Sequence, residues 1–408
     1  MSIFSQYKGL RKEIYILFIC KLIDNMGSMV GPMLTLILSI KLGLNAQKIA
    51  LIGTIFMLLS LPTSILGGKI ADRFNKKILV NIMDISSAII YIFCGIIGIN
   101  IYTIIIYYVG SLIQAAESPT YESLLADFTS SSDRDRASSL MYWGLNLGLM
   151  LSPTLGGLLL ENHLQLLFII SGVAQLLSIV VFDIFVKDIT PVVDYNNVYE
   201  NSSDATNTLK LLITNPVITA FIITLAIGST VYNMWGYIMP LTLTKVVGEN
   251  SSLIYGTMNS LNCIVVVLFT APITSLFIKY DSFKRIILSI SLQIIGFALF
   301  ILFINKTYMY YVAIFIFTIG EILNTITTTP HITKRIPMNY RGRILATSDF
   351  MFYFFNALGQ IIVGTIFDNK GFYITWIVII GMGLFTMISF ALIKKPDKKR
   401  YPNLYQKN

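Results

Sequence analysis

Twelve long apolar runs dominate the sequence and constrain its fold more than any other feature. A helix that crosses about 30 Å of hydrocarbon needs about 20 apolar residues, and a longer helix crosses with a tilt. Because lipid offers the backbone no hydrogen-bonding partner, such spans form helices, and the sequence predicts an all-α membrane protein with twelve transmembrane helices. The runs lie near residues 14–40, 48–68, 78–99, 102–126, 137–160, 165–186, 216–243, 253–278, 286–304, 308–333, 344–367 and 373–393.

The composition excludes a soluble protein. Hydrophobic residues make up 55% of the 408 residues and charged residues only 12%, and the mean hydropathy is +0.72. A soluble domain carries about 25% charged residues, so this chain lacks the charges that would cover its apolar core in water. Disorder is excluded as well, since disordered chains are rich in charge and poor in aromatic residues.

Positive charge alternates between the loops in the way that membrane topology requires. With the N-terminus placed in the cytoplasm, 24 of the 30 lysines and arginines fall in cytoplasmic segments and 5 in outer ones, while Lys21 lies within a span. This is the positive-inside pattern, so we expect both termini in the cytoplasm. The net charge of +9 therefore reflects topology and does not indicate nucleic acid as a partner. The Ile-, Asn- and Lys-rich composition is typical of low-GC bacteria and indicates the plasma membrane.

A polar stretch divides the twelve runs into two groups of six. The sequence predicts an N-terminal six-helix bundle at 1–186, a cytoplasmic linker at 187–215 and a C-terminal six-helix bundle with a basic cytoplasmic tail at 216–408. A faint repeat relates the halves, since Lys76–Lys77 and Lys284–Arg285 are 208 residues apart. Two pseudo-repeat bundles around a central cavity are the architecture of many secondary transporters. The alternative is that every cytoplasmic loop attracts basic residues, with no duplication behind the spacing.

The loop after the second run carries the most specific pattern. It reads GGKIADRFNKK at residues 67–77 and resembles the loop signature of the major facilitator superfamily, G-x-x-x-D-R-x-G-R/K-R/K. Asn75 stands where the family usually has glycine, and both residues tolerate a left-handed backbone. The resemblance implies a twelve-helix secondary transporter that works by alternating access.

A second pattern lies in the fifth run. Gly148, Pro153, Gly156 and Gly157 resemble the element G-x-x-x-G-P-x-x-G-G, which is typical of the drug:proton antiporter branch, with Ser152 in place of a glycine. Small residues allow close helix approach, and generic helix packing is the alternative interpretation. A third pattern, G-E…P…R-G-R at residues 320–321, 330 and 341–343, resembles the second half of the same superfamily. The family's arginine in span four is absent, since residues 105–107 are Ile, Ile and Tyr.

The resemblance also implies roles for the loop residues. In the family, an aspartate at the position of Asp72 caps a neighbouring helix end, and an arginine at Arg73 pairs with an acidic residue that ends span four, here Asp127. Such a pair is a latch whose opening frees the inner gate, and a plain topology determinant is the alternative. The predicted gating loop comprises Gly68, Asp72, Arg73, Lys76, Lys77 and Asp127.

Three carboxyl groups lie deep in apolar runs, where an ionised side chain costs roughly 2.5–3.5 kcal/mol on insertion scales. Glu117 has no Lys or Arg in its own span, and burial without a cation favours the neutral acid, so it is the first candidate for proton coupling. Asp24 follows Lys21 by three residues, so the two either neutralise each other or leave Asp24 as a proton or cation site. Glu321 is the candidate in the second half. Three other acids near cytoplasmic span ends are expected to be solvated or structural: Asp84, Asp183 and Asp349.

The family resemblance implies a substrate cavity built from spans one, four, seven and ten. Methionine in span one offers apolar surface that adapts to varied shapes. Isolated carboxylates in a wide apolar cavity suit lipophilic cations, and also many other amphipathic molecules; aromatic side chains at helical spacing also serve packing or face lipid. The cavity candidates are Asn25, Met29, Gln114, Tyr232, Asn233, Trp235, Tyr237 and Asn324.

The sequence favours a transporter over an enzyme. It contains no phosphate-binding loop G-x-x-x-x-G-K-[ST], no H-E-x-x-H and no C-x-x-C pair, so no catalytic residue, cofactor or metal is expected. We expect proton-coupled efflux of drugs or amphipathic small molecules by a monomer whose partners are a lipophilic substrate, protons and membrane lipids. The alternatives are proton-coupled uptake or export of a specific metabolite and, in a different class, a membrane sensor that does not transport.

Overall fold

The computed structural model describes residues 7–71, 73–129, 133–187, 215–277, 279–333, 335 and 341–405. These residues form helices and connecting turns, with no strand among them, which confirms the all-α prediction. The helices are α1 (Lys12–Gly27), α2 (Val30–Leu36), α3 (Ala46–Ala71), α4 (Lys76–Ile97), α5 (Ile101–Asp127), α6 (Arg134–Leu149), α7 (Ser152–Asn162), α8 (Leu164–Phe185), α9 (Pro216–Val246), α10 (Ser251–Phe277), α11 (Ser282–Leu302), α12 (Thr307–Thr333) and α13 (Arg341–Arg400).

Within the described ranges, ten segments are long and apolar enough to cross a bilayer, judged by length and composition. The longest, Thr347–Arg400, covers the last two predicted spans and turns at Gly371, whose φ of 77° glycine reaches without strain. The span predicted at 102–126 forms α5, which is 27 residues long, carries acidic residues and is not among the ten. The structure is therefore consistent with the twelve predicted crossings.

Two predicted spans are interrupted rather than continuous. The run at 14–40 divides into α1 and α2, and the run at 137–160 divides into α6 and α7. In each case a proline follows the break, and Pro32 and Pro153 both lie in the first turn of the new helix. A proline is tolerated there because the first helical N–H groups have no partner within the helix.

The chain divides into two compact units. The first consists of Met1–Leu44, Ile52–Asn197 and Val247–Val267, and the second of Asn45–Leu51, Val198–Val246 and Leu268–Asn408. In the first unit α4 packs against α5 and α8, and α1 packs against α6 and α8. In the second unit α9 packs against α13, and α11 packs against α12 and α13.

The two units depart from the predicted halves at two segments. Residues 45–51, which open α3, belong to the second unit, and residues 247–267, in the first part of α10, belong to the first. The predicted linker at 187–215 falls almost wholly outside the described residues. A bundle boundary at that linker therefore stays a prediction.

Candidate functional site

A cavity of about 280 Å³ lies inside the first unit, between α1, α4, α5 and α8. Its lining is polar although the surrounding helices are apolar. The acidic residues that line it are Asp24, Asp84, Glu117 and Glu122, and the basic one is Lys21. The other polar residues include Asn25, Ser28, Tyr91, Gln114, Ser118, Tyr121, Ser171, Gln175 and Ser178. The structure thus brings together four of the predicted residues, which are Asp24, Asn25, Gln114 and Glu117.

α1 presents a polar stripe to this cavity because its polar residues recur every three or four positions, which places them on one helix face. The helix ends at Gly27, whose carbonyl accepts the Met29 backbone N–H at 2.7 Å. Ser171 Oγ on α8 donates a further hydrogen bond to that carbonyl at 2.6 Å. The interruption of the first span therefore lies beside the cavity, and α8 adds a hydrogen bond to the last carbonyl of α1.

Asp24 and Glu117 each keep one buried carboxyl oxygen, Oδ1 and Oε1 respectively, with no hydrogen-bond partner among the described residues. An unpaired buried charge is costly, whereas a carboxylic acid needs no counter-charge. The Lys21 ammonium lies over the ring of Tyr121, 5.2 Å from its centre, and in the described part of the chain it forms no ion pair with Asp24. Both oxygens are thus free to accept a proton or a hydrogen-bond donor.

Asp84 is the candidate that sequence reasoning missed. Its position near a cytoplasmic span end predicts a solvated or structural residue, but Asp84 lines the cavity, and its Oδ1 accepts a hydrogen bond from Gln175 Nε2 at 2.9 Å. The same amide donates to Ser87 Oγ at 2.9 Å. Val80, Ser87 and Tyr91 are buried at helical spacing on α4, and Asp84 falls on that face. This periodicity indicated that Asp84 lies on the buried face of α4. Its position near the end of the span suggested solvent exposure instead, and that was misleading.

Two other cavity predictions have different outcomes. Gln114 lines the cavity, and its Oε1 accepts a hydrogen bond from Tyr91 OH at 2.8 Å, which fixes the orientation of its amide. Met29 does not line the cavity. It is buried where the first span meets the fifth, and a methyl group placed on Gly156 would lie 3.3 Å from the Met29 carbonyl oxygen. Met29 therefore serves helix packing in this structure.

The candidates of the second half gather around Phe317 in the second unit. Tyr232 and Trp235, both from α9, stack on its ring at centroid distances of 5.6 and 5.5 Å. Tyr232 OH donates a hydrogen bond to Glu321 Oε1 at 2.9 Å, and Glu321 lies one turn beyond Phe317 on α12. The structure thus brings together a predicted coupling residue and two predicted cavity residues.

The remaining second-half candidates differ in their surroundings. Asn324 follows Glu321 along α12 and is half-buried. Asn233 Nδ2 donates to the carbonyl of Ser229 in its own helix at 2.9 Å. Tyr237 is buried, and its hydroxyl donates to the carbonyl of Ala46 at 2.5 Å. Tyr237 therefore joins α9 to the start of α3 within the second unit.

Lysine ion pairs hold the predicted gating loop. Lys76 Nζ lies 2.6 Å from Asp127 Oδ2, and Lys77 Nζ lies 2.9 Å from Asp183 Oδ1. Asp127 pairs with Lys76 here, and its expected pair with Arg73 is not formed among the described residues, so the latch role of Arg73 stays a prediction. Arg73 lies in the exposed turn before α4, whereas Lys76 opens the helix that packs along α5 and so reaches its last residue.

The glycines before that loop differ in how much room they have. A methyl group on Gly67 would lie 1.9 Å from the Ala116 carbonyl oxygen on α5, so only glycine fits at this crossing. A methyl group on Gly68 would lie 3.7 Å from Pro119 Cβ, which is ordinary contact. Asp72 lies outside the described residues, and its capping role stays a prediction.

The predicted packing element of the fifth span lies along the first span. A methyl group on Gly148 would lie 2.5 Å from Asn25 Cβ, and one on Gly156 would lie 3.0 Å from Met33 Cγ. Two glycines two turns apart thus let α6 and α7 approach α1 and α2 closely. Because Asn25 lines the cavity, this contact also positions the polar stripe of α1.

The rest of that element faces α10. A methyl group on Gly157 would lie 2.3 Å from the Ser252 carbonyl oxygen, and one on Gly256 would lie 2.2 Å from the Pro153 carbonyl oxygen. Thr154 Oγ1 and Ser260 Oγ share a hydrogen bond of 2.7 Å at the same contact. Backbone-to-backbone approach of this kind explains why the segment 247–267 groups with the first unit.

A sequence profile of the Major Facilitator Superfamily matches residues 17–359. This chain belongs to the Major Facilitator Superfamily. Members of this superfamily are multi-pass membrane transporters, which indicates that this chain is a transporter. Within the described ranges, no group of three or more His, Cys, Asp or Glu side chains is arranged to hold a metal ion.

Two curated members of the superfamily resemble parts of this chain. Quinolone resistance protein NorA of Staphylococcus aureus is 25% identical over 182 residues, which cover 44% of this chain and 46% of NorA. The uncharacterized MFS-type transporter YdeE of Escherichia coli (strain K12) is 28% identical over 161 residues, which cover 38% of this chain and 40% of YdeE. The matched part of the chain therefore spans less than half the length of each relative.

Solved transporter structures share the fold over nearly the whole chain. A bacterial homologue of the human lysosomal transporter Spinster, inward-facing and unoccupied, aligns with a TM-score of 0.74 and 14% identity, covering 94% of this chain and 96% of that one. The peptide transporter POT in complex with sulfate aligns with a TM-score of 0.73 and 15% identity, covering 97% and 96%. At these identities the likeness establishes the fold alone.

Proposed function

We propose that this transporter exports amphipathic small molecules in exchange for protons. The observation that carries the proposal is the cavity of the first unit, where Asp24 and Glu117 each present a buried oxygen without a hydrogen-bond partner in the described part of the chain. A carboxyl group that takes up a proton on one side of the membrane and releases it on the other is the simplest coupling device. Two such groups in one cavity supply that device.

The charge in the cavity favours a substrate with a positive group. Four acidic residues and one lysine line it, so an ionised cavity attracts cations and a protonated one releases them. Proton and substrate would then compete for the same carboxyl groups, which couples inward proton movement to outward substrate movement. The amide of Gln175 donates a hydrogen bond to Asp84, so this carboxyl group is held in place more firmly than Asp24 and Glu117.

The similarity to NorA supports export of a drug-like substrate, since NorA is described as a quinolone resistance protein. The glycines of the fifth span add to this support, because the element that they resemble is typical of the drug:proton antiporter branch.

The loop after α3 serves as the inner gate in this proposal. The 2.6 Å pair between Lys76 and Asp127 joins the ends of α4 and α5 on the side predicted to be cytoplasmic. About a quarter of each side chain is exposed, so water can solvate both charges when the pair breaks. Its opening would accompany the inward-facing state.

Glu321 has a supporting role in the proposal. Its carboxylate accepts a hydrogen bond from Tyr232, so it is held more firmly than Glu117 and is a weaker candidate for rapid proton exchange. The stacked rings of Tyr232, Phe317 and Trp235 offer an aromatic surface for the apolar part of a substrate.

Everted membrane vesicles test the proposal. With a proton gradient imposed, the parent chain should extrude ethidium or Hoechst dye and dissipate the gradient when dye is added. Glu117→Gln and Asp24→Asn should each abolish the gradient-driven component, because the amide carries no exchangeable proton at these pH values. Glu161→Gln is the matched control, since that side chain is exposed at the end of α7 and should leave extrusion unchanged.

Two outcomes would count against the proposal. If no member of a broad panel of amphipathic compounds is moved or dissipates the gradient, export by proton exchange is wrong. If dye moves equally well through the parent and through both cavity variants, transport does not depend on these carboxyl groups.

A further inference from the structure

We propose that the second unit carries a binding site for the phosphate group of an anionic phospholipid, in the groove between the end of α10 and the start of α11. A cavity of about 310 Å³ occupies this position. Two cations and three apolar or aromatic side chains line it: Phe277, Tyr280, Lys284, Arg285 and Leu288. Its place and chemistry are separate from the transport cavity of the first unit.

The cations in this groove have no anionic partner of their own among the described residues. Arg285 Nε is buried without a hydrogen-bond partner, and Lys284 forms no ion pair there. The carboxylate whose charge acts on Arg285, Asp281, has other hydrogen-bond partners. Its Oδ1 accepts a hydrogen bond from the Lys284 backbone N–H at 3.0 Å, and its Oδ2 pairs with Lys394 Nζ at 3.2 Å. A guanidinium N–H that is buried and unpaired indicates a missing acceptor.

The position of these cations on the helix adds to the argument. Lys284 and Arg285 lie in the first turns of α11, where the helix dipole is positive and acidic side chains are preferred. Two positive side chains at this end are unfavourable to the dipole, and the Asp281 carboxylate at the N-cap is one anion against both of them. An anionic group in the groove would meet both side chains at once, and a phosphate has enough oxygens to accept hydrogen bonds from both.

The surroundings of the groove favour a lipid over a free anion. Phe277 and Tyr280 lie with their ring centres 5.8 Å apart, and Tyr280 is 45% exposed. Apolar side chains continue from the groove along both helices, with Leu276 on α10 and Ile295 on α11 more than 40% exposed. Leu288 and Ile295 are seven residues apart and share a helix face, so an acyl chain can follow α11 into the membrane.

The predicted topology agrees with this assignment. The groove lies on the side where the positive-inside pattern places the cytoplasm, and basic pockets at helix ends on that side attract anionic headgroups. The same chemistry would also recognise free phosphate or a soluble phosphate ester. The experiment therefore needs to separate a lipid phosphate from a soluble one.

Native mass spectrometry of the full chain in detergent measures the binding directly. We expect dioleoylphosphatidylglycerol to bind in preference to dioleoylphosphatidylcholine, and Lys284→Gln with Arg285→Gln to weaken that binding by about 5-fold for each cation removed. The matched control, Lys398→Gln with Lys399→Gln, removes the same charge from exposed positions near the end of α13 and should keep the parent's affinity for the first bound lipid. Equal binding by the parent and the groove variant would overturn the proposal.

A second measurement uses a variant that keeps every charge, so it remains informative if the Lys284 and Arg285 variant fails to fold. Tyr280→Trp places a fluorophore in the groove, and in nanodiscs its added emission should be quenched more by brominated phosphatidylglycerol than by brominated phosphatidylcholine. Equal quenching by the two lipids counts against a specific headgroup site. Inorganic phosphate and glycerol 1-phosphate are added as soluble competitors, and displacement of the lipid by either at comparable concentration would assign the site to a free anion. All of these readouts are independent of transport, so they separate this inference from the proposed export.

Discussion

Buried carboxyl groups differ between the two units, and the contrast between Asp24 and Glu117 in the first and Asp397 in the second lies in how many hydrogen-bond partners each has. In the first unit, Asp24 and Glu117 keep buried oxygens without hydrogen-bond partners within the described ranges. In the second, Asp397 is fully buried but bonded through both oxygens, to Arg335 Nε at 2.8 Å and Arg335 Nη2 at 2.7 Å. Tyr405 OH donates a third hydrogen bond to Asp397, also at 2.7 Å.

The difference separates charge that holds the structure from charge that is free to change. A carboxylate with a complete set of donors is held in place, because protonating it would break those bonds. A carboxyl group with a vacant oxygen breaks no such bond when it takes up a proton. Four predictions test this contrast.

The largest effect is expected at the buried ion pair of the second unit. Arg335→Gln should lower the free energy of unfolding by about 3–5 kcal/mol, because it leaves the Asp397 charge buried with a single strong donor. Thermal unfolding in detergent measures this loss. Glu117→Gln is the counterpart in the first unit and should change stability by less than about 1 kcal/mol.

The double variant Arg335→Met with Asp397→Leu refines this test. It should recover most of the lost stability, since a buried ion pair is often replaceable by apolar side chains of similar volume. Equal losses in Arg335→Gln and Glu117→Gln would contradict the contrast between the two units.

A smaller loss of stability is expected when a glycine at a close helix contact is replaced by alanine. Gly148→Ala should cost about 1–3 kcal/mol, because the new methyl group would lie 2.5 Å from Asn25 Cβ and the helices would have to separate. Gly381→Ala in α13 has open space around it, so it should be neutral or stabilise by up to about 1 kcal/mol through helix propensity. Unfolding midpoints in detergent compare the two, and equal changes would mean that close approach does not set the cost.

Tyr232→Phe should lower stability by about 0.5–1.5 kcal/mol, the net contribution of one hydrogen bond. The change also removes the Tyr232 donor from Glu321. We therefore expect the pH dependence of dye extrusion to change with it. If neither the unfolding midpoint nor the pH profile moves, the Tyr232–Glu321 bond has no part in holding that carboxyl group.

The smallest effect on stability is expected in the gating loop. Lys76→Gln should cost about 0–1 kcal/mol, because the pair with Asp127 is partly exposed and water screens it. Arg73→Gln is the matched control, since Arg73 is exposed and does not pair with Asp127 in the structure. If the pair acts as a latch, Lys76→Gln should change the transport rate more than Arg73→Gln does. Identical rates would mean that the pair serves only as a topology determinant.

Periodicity and polarity predicted much of the candidate site. The polar stripe of α1 and the isolated Glu117 of α5 are visible as polar residues in apolar runs, and both line the cavity. Asp84 was missed because a carboxylate near the end of a span is usually solvated, and only the packing of α4 against α8 brings Gln175 within hydrogen-bond distance of it. Pairings across helices, such as Lys76 with Asp127, depend on which helices are neighbours. The neighbours of a helix cannot be read from a single sequence.

By itself, the sequence determined that this chain is a helical membrane protein, since runs of this length and apolarity have no stable alternative in water or in lipid. Its loop and span-five patterns also indicated the superfamily. Only the tertiary structure decided which buried charges have partners, because partners come from helices that are distant in the chain. The same apolar periodicity suits many helix arrangements, and the close glycine contacts and the sparse polar side chains select among them.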